Sequence, residues 1–289
     1  MILVFDSGVG GLSIVREIHQ LRPDLTVHYL MDTAAFPYGT HEDLALTRRI
    51  VCLCQQAVRA LPVKLLVIAC NTASTLALDS LRQVLDIPVV GVVPAIKTAA
   101  EQSANGVIGL LATPATIGRS YTDQLVKDFA GHCEVRRLGS RPLVEWAETL
   151  IRSPDSIHDV MAERIRQHLS PWVEQSPCPS HIVLGCTHFP LLRPYLTLLW
   201  PSINWVDSGA AIARRVNHLL GAALQTDTKT AIGHLYLYQT HGIADAKHLS
   251  QFWSTGYLPE SISPDWIQLN VPQIIGNTAN TTCTSNHLV

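Results

Sequence analysis

Two cysteines sit in matched settings. Cys70 follows the apolar run Leu65-Leu66-Val67-Ile68-Ala69 and precedes Asn71-Thr72-Ala73-Ser74. Cys186 follows Ile182-Val183-Leu184-Gly185 and precedes Thr187-His188-Phe189-Pro190. Each pattern reads as a buried strand ending where a helix begins, with Pro190 at a tolerated first-turn position. The positive field of a helix N-terminus lowers a thiol pKa from about 8.5 and favours thiolate. A single such cysteine reads as an inert buried thiol; two in the same setting weigh against that. Without CxxC spacing, the two thiols fit a redox pair, two separate nucleophiles, or an acid and a base on opposite faces of a substrate carbon. The last arrangement inverts a stereocentre. His188 is a candidate to orient or activate Cys186, the alternative being a backbone hydrogen bond at the helix start. Asp6 is a candidate to polarise a thiol or hold a substrate ammonium, the alternative being a cap on its own glycine loop.

The elements that position these residues alternate along the chain. Ile2 to Phe5 predicts a strand, Ser7-Gly8-Val9-Gly10-Gly11 a tight loop, and Leu12 to Ile18 a helix. Further strands are expected at Thr26–Leu30, Lys64–Ala69, Pro88–Val93, Gly106–Leu111, Glu134–Leu138, His181–Gly185 and Ile203–Val206. Helices are expected at 42–60, from Cys70 to about Val84, from Thr113, at Pro142–Ile151, at Asp155–Leu169, after Cys186 and at Ala210–Leu220. Such alternation indicates α/β layers around parallel sheets. Ligand sites of such sheets gather at strand carboxyl ends, here Asp6, Asp32, Cys70, Thr113, Cys186 and Asp207. Ala231–Tyr238 reads as an edge strand, His248–Phe252 as a short helix, and the chain from about Ile274 as a frayed polar terminus holding Cys283 and His287. Val67–Thr72 echoes Val183–His188, and Asp6-Ser7-Gly8 recurs as Asp207-Ser208-Gly209. These echoes suggest a duplicated α/β unit with a cleft between the copies.

Composition narrows the class. The chain has 289 residues, 47% hydrophobic and only 15% charged, with net charge −2. That excludes a disordered chain and suggests about two domains. No basic run exceeds two residues, so no nucleic-acid face is indicated. No apolar run approaches the roughly 20 residues of a membrane span. Seven cysteines, an odd number, and an N-terminus without a signal-peptide pattern point to a reduced, cytoplasmic setting. The loop after Asp6 is neither GxGxxG nor a P-loop; its glycines suit a small anion such as a carboxylate. No zinc spacing occurs, and Lys64 and Lys97 are Schiff-base candidates by position only.

At these motifs the sequence resembles the glutamate racemase family of the cofactor-independent aspartate/glutamate racemases. The matching segments are Phe5–Ser13, Phe36-Pro37-Tyr38-Gly39, Ala69–Ser74, Gly91–Lys97, Leu184–Leu192 and Asp207-Ser208-Gly209, in order over residues 2 to 220. The resemblance implies interconversion of L- and D-glutamate without pyridoxal phosphate, metal or other cofactor, supplying D-glutamate for peptidoglycan. It implies Cys70 and Cys186 as acid and base, one for each enantiomer, assisted by Asp6 and His188. It implies substrate contacts from Ser7, Tyr38, Gly39, Asn71, Thr72, Thr116 and Thr187. The implied fold is α/β, two similar three-layer domains with mainly parallel sheets and the active site in the cleft between them. The first would span 1–93 plus 207–273, the second 94–206, with 274–289 as a tail. Leu138-Gly139-Ser140-Arg141-Pro142-Leu143-Val144-Glu145 departs from the Cys-Pro-x-Phe-x-Pro form of many relatives. It looks like a subgroup activated by a nucleotide-linked cell-wall precursor. Glu145 is a supporting candidate there, the alternative being a solvated helix glutamate. The expected partners are glutamate and that precursor, with no membrane or nucleic acid, in a monomer or homodimer. The alternatives are a racemase of another acidic amino acid such as aspartate, a thiol hydrolase using Cys186 or Cys70 with His188, and a non-catalytic amino-acid-binding module.

Overall fold

The computed structural model describes residues 1–152, 158–221, 233–241 and 267–269. Among the described residues ten strands fall into two sheets, and every pairing is parallel. The first sheet contains β1 (Ile2–Asp6), β2 (Val27–Met31), β3 (Leu66–Ile68), β4 (Val89–Gly91), β9 (Leu235–Gln239) and β10 (Ile267–Leu269), in the order β10-β9-β2-β1-β3-β4. The second contains β5 (Val107–Ala112), β6 (Glu134–Gly139), β7 (His181–Leu184) and β8 (Asn204–Val206), in the order β6-β5-β7-β8. That order repeats β2-β1-β3-β4 of the first sheet. The duplication suggested by the two cysteines is therefore topological, since β3 and β7 hold the same place in their sheets. The Asp-Ser-Gly echo is local only: Asp6 ends β1, whereas Asp207 follows β8, a strand in a different place. In both copies the aspartate caps the glycine two residues on, at 2.9 Å from the Gly8 N–H and 2.7 Å from the Gly209 N–H.

Helices cover both faces of each sheet. The helices are α1 (Leu12–Leu21), α2 (Asp43–Ala60), α3 (Asn71–Val84), α4 (Ile96–Gln102), α5 (Pro114–Ile117), α6 (Ser120–Ala130), α7 (Pro142–Arg152), α8 (His158–Val173), α9 (Arg193–Leu199) and α10 (Gly209–Leu220). Strand β1 is buried throughout, and its side chains alternate between two cores. Ile2 and Val4 join Val15, Ile18, Ile212 and Val216 of α1 and α10. Leu3 and Phe5 join Ile50, Leu53, Ala77 and Leu81 of α2 and α3. In the second sheet Ile108, Leu110 and Val183 pack with Ile96 and Ala99 of α4. The opposite face of that sheet packs with α7, α8 and α9 in the same apolar cluster as α1 and α10, so one core runs through both units.

Several local expectations change. The segment expected as an edge strand is interior: β9 pairs with both β2 and β10. The chain after Cys186 forms no immediate α-helix. It turns, makes a short 3-10 helix at Phe189–Leu192, and only then enters α9. The helix from Thr113 is a single turn, α5, capped by the Thr113 hydroxyl. Helix α8 continues past Pro171 to Val173, where Trp172 and Val173 are buried, so packing overrides the proline signal. His248–Phe252 and the tail from Ile274 lie outside the described residues, as does 153–157 at the expected start of α8.

The carboxyl end of β2 holds one charged anchor. Asp32 is fully buried and accepts Arg49 through both carboxylate oxygens at 2.6 and 2.7 Å. It also accepts the Tyr38 hydroxyl at 2.8 Å and the Thr240 hydroxyl at 2.7 Å, tying the 36–40 loop to β9. Asp32→Ala leaves a partly buried guanidinium without its partner. We expect a loss of about 3–5 kcal/mol, read as a lower midpoint in urea unfolding.

Candidate active site

In each sheet the chain leaves the first strand toward one neighbour and later returns beside it on the other side. The crevice at the strand ends of that reversal is where open α/β sheets bind ligands. In the first unit it lies between β1 and β3, and in the second between β5 and β7. Asp6 and Cys70 end the first pair; Thr113 and Cys186 end the second. The two crevices face each other across one cavity of about 160 Å³. Ser7, Tyr38, Gly39, Cys70, Asn71, Thr72, Thr116, Cys186, Thr187 and His188 all line it. Asp6 is wholly buried behind the lining. Asp32 and Asp207 do not line the cavity; Asp207 pairs with Arg193.

Cys70 is the N-cap residue of α3 and is 7% exposed. Its Sγ lies 3.8 Å from the Ser7 hydroxyl. The expectation of a lowered thiol pKa fails here. Burial pushes Cys70 up to about 12, the Asp6 charge adds to it, and the Ala73 N–H and Ser7 only partly offset this. The helix N-terminus is present, but desolvation outweighs it. Asp6 itself is raised, chiefly by burial, against the pull of His188, the Gly8 N–H and Thr187. Its Oδ2 accepts the Thr187 hydroxyl at 2.9 Å, a bond between the two units. The Ser13 hydroxyl makes another, donating to the Thr187 carbonyl at 2.9 Å.

Cys186 is 6% exposed, and its Sγ lies 3.7 Å from Nδ1 of His188. The other ring nitrogen, Nε2, donates to Glu148 Oε1 at 2.7 Å. The same oxygen accepts the Val9 N–H at 2.8 Å, and Oε2 accepts Arg152 at 2.8 Å. Burial opposes both charges. Cys186 and Glu148 nevertheless hold His188 well above the usual histidine range, and His188 and Arg152 hold Glu148 down at about 2. Both directions describe an imidazolium–carboxylate pair placed to exchange a proton with Cys186.

Glu148, which the sequence did not single out, is the carboxylate the structure places against His188. Glu145 was singled out instead; it lines the cavity but is exposed. Helix α7 buries Leu143, Val144, Ala147, Glu148, Leu150 and Ile151. A carboxylate on that apolar stripe, four residues after Val144, was the available signal. Other expected contacts are placed differently from a simple donor role. The Tyr38 hydroxyl is committed to Asp32, and that of Thr187 to Asp6. Thr116 shares a 2.9 Å hydrogen bond with Thr113, which also lines the cavity. Asn71 Oδ1 is buried with no hydrogen-bond partner among the described residues, leaving an acceptor at the cavity wall.

Glycine is required where these groups crowd the β1 loop. A Cβ at Gly10 would stand 2.5 Å from His188 Nδ1 and 2.7 Å from the Thr187 hydroxyl; at Gly8 it would stand 2.1 Å from Glu148 Oε1. Taken alone, Cys186–His188–Glu148 has the connectivity of a thiol nucleophile, a base and its orienting carboxylate. The second buried thiol opposite it is what that scheme leaves unused.

Comparison with known proteins gives the class. The family described as Asp/Glu/Hydantoin racemase matches residues 10–216. The chain is 48% identical over 220 residues to a glutamate racemase of Escherichia coli O7:K1, 76% of each chain. It is equally similar, over the same share, to a glutamate racemase of Shigella flexneri. The crystal structure of Escherichia coli glutamate racemase in complex with L-glutamate and the activator UDP-MurNAc-ala matches with a TM-score of 0.80 at 41% identity, covering 93% of this chain and 97% of that one. Glutamate racemase from Campylobacter jejuni matches with a TM-score of 0.68 at 27% identity, covering 89% and 99%. Fold and site thus define an amino-acid racemase, an isomerase. The chain belongs to the Asp/Glu racemase family.

Two outcomes follow from the buried pair. Glu148 is depressed in the folded chain from 4.5 to about 2, so its contribution to stability is complete above about pH 4.5 and is lost as pH falls toward 2. Glu148→Gln should flatten that acid limb in urea unfolding measured across pH. Gly10→Ala should destabilise by about 1–3 kcal/mol and lower turnover more than thermal stability, because the added methyl strikes His188 and Thr187; melting curves and rate measurements separate the two.

Proposed function

We propose that the chain interconverts L- and D-glutamate by a two-base mechanism, with Cys70 and Cys186 on opposite faces of the substrate α-carbon and no cofactor. The observation that carries this reading is the pairing of two buried thiols on one cavity, each with its own polar escort. Cys70 has Ser7 and Asp6; Cys186 has His188 backed by Glu148. In one direction the thiolate of one cysteine takes the α-proton while the thiol of the other delivers a proton to the opposite face. The electron pair left on carbon is delocalised into the adjacent carboxylate until the second proton arrives. In the reverse direction the roles exchange. Fixed donors in a water-poor cavity lower the cost of that charge. Asn71, Thr72 and the backbone of the β1 loop are the groups we assign to the substrate carboxylates and ammonium, with Ser7, Tyr38, Gly39, Thr116 and Thr187 completing the binding wall.

Glutamate is favoured over aspartate by the relatives, which are glutamate racemases at up to 48% identity. The physiological role that goes with this reading is supply of D-glutamate to peptidoglycan synthesis in the cytoplasm. Activation by a nucleotide-linked cell-wall precursor belongs to the same proposal, supported by the Escherichia coli relative solved with UDP-MurNAc-ala. The domain limits 1–93 plus 207–273 and 94–206 are likewise proposed, supported by the partition of strands between the two sheets. Among the described residues no helix is long and apolar enough to cross a membrane.

The test is incubation with L-glutamate in D₂O, with and without the precursor. Loss of the α-proton by NMR together with decay of optical rotation to zero is the expected result. Exchange with aspartate alone would reassign the substrate, and release of a product of different mass would favour the hydrolase. Cys70→Ala and Cys186→Ala should each abolish racemisation while far-UV circular dichroism stays unchanged. Near-normal turnover in either variant would sink the two-thiol mechanism.

A further inference from the structure

The cavity has one permanent cation in its described lining, Arg141. Its backbone is fixed at the head of α7, where its carbonyl accepts the N–H groups of Val144 at 2.9 Å and Glu145 at 3.2 Å. The side-chain cap of that helix comes from elsewhere: the Ser140 hydroxyl accepts the Leu143 N–H at 3.3 Å. The Arg141 side chain is exposed at the cavity mouth. Other arginines close to the site are engaged: Arg49 with Asp32, Arg119 with Asp43, Arg152 with Glu148 and Arg193 with Asp207. The Arg141 guanidinium has no hydrogen bond or ion pair among the described residues.

The described lining holds one carboxylate, and two more lie buried behind it. Glu145 lines the same mouth, one helical turn further on, and the carboxylates of Asp6 and Glu148 stand behind the two thiols. An acidic amino acid arrives with two carboxylates and one ammonium, a net charge of −1. At the mouth it meets Glu145, the one carboxylate in the described lining, with Asp6 and Glu148 buried behind the wall. An unpaired guanidinium at the entrance, beside the positive end of α7, is the group that offsets this repulsion.

We infer that Arg141 captures a substrate carboxylate at the cavity mouth and is a binding determinant for acidic amino acids. The inference rests on the racemase reading of the cavity. Arg141 stands outside the proton-transfer machinery, so its effect falls on KM and leaves the chemical step to the thiols. Both enantiomers carry the same two carboxylates, so both are affected alike.

The experiment is steady-state kinetics on the full chain with L- and D-glutamate, at low and high salt. At low ionic strength R141A should raise KM for both enantiomers about fivefold, the upper range for one solvent-exposed charge pair, with kcat within about twofold. R141K, which keeps the charge, should recover most of that loss, and R141E should raise KM further. At about 0.5 M salt the wild type and R141A should converge, because the screening length falls to a few ångströms. A merely structural role for Arg141 would not produce that convergence. An active wild type whose R141A counterpart has the same KM and salt dependence overturns this inference alone. So does a variant that loses kcat with KM unchanged, which would make Arg141 a support of α7. A wild type inactive on glutamate with and without the precursor overturns the racemase reading and this inference with it. If R141A does not fold, as judged by circular dichroism, R141Q carries the same comparison.

Discussion

Oxygen Oε1 of Glu148 receives two hydrogen bonds from distant parts of the chain: His188 at 2.7 Å and the Val9 N–H at 2.8 Å. The first sets the imidazole beside Cys186. The second ties α7 of one unit to the glycine loop after β1 of the other. A buried carboxylate is costly unless its partners are complete, and here Arg152 supplies the remaining one. The arrangement in turn demands a backbone without side chains at Gly8 and Gly10, where a Cβ would stand within 2.5 Å of Glu148 or His188. The glycine loop, the histidine and α7 therefore depend on one another, and the cleft between the units is closed at its base by this contact and by Thr187 on Asp6.

The two halves repeat a strand order, yet their cysteines live in different electrostatic surroundings. Cys70 sits at the head of α3 beside an aspartate, and burial raises its thiol pKa. Cys186 meets a buried imidazole, held toward its charged form by Glu148, across 3.7 Å. A symmetric frame thus brings two thiols in unlike surroundings to one cavity. Under the two-thiol mechanism we propose, the forward and reverse reactions need one sulfur charged and the other protonated, each switching state once per turnover. The escorts differ, but both reach their cysteine from within a few residues or from the adjacent strand end, so the duplication supplies position and the local sequence supplies chemistry.

The element pattern was legible because it is local. Buried parallel strands appear as continuous apolar runs, and α2 and α3 show the helical spacing of their buried faces. The strand ends were readable for the same reason, which is why Cys70, Cys186, Asp6 and His188 could be named from composition and order. Where the reading failed, packing overrode a local signal. Trp172 and Val173 carry α8 through Pro171, and the buried run Phe189–Leu192 takes a tight 3-10 form before α9. Strand β9 looked like an edge because its alternation is weak, but β10 covers its far side.

The sequence by itself determined which elements form, that two thiols end buried strands, and that no common nucleotide or zinc motif competes with them. It could not determine which long-range partners meet. Glu148 and Val9 are 139 residues apart, and Thr187 and Asp6 are 181 apart. Nor could it determine the sign of the shift at Cys70. Proximity to a helix N-terminus is written in neighbouring residues, whereas desolvation depends on everything the fold packs around the sulfur. Only the tertiary structure sums those contributions, and there burial prevails.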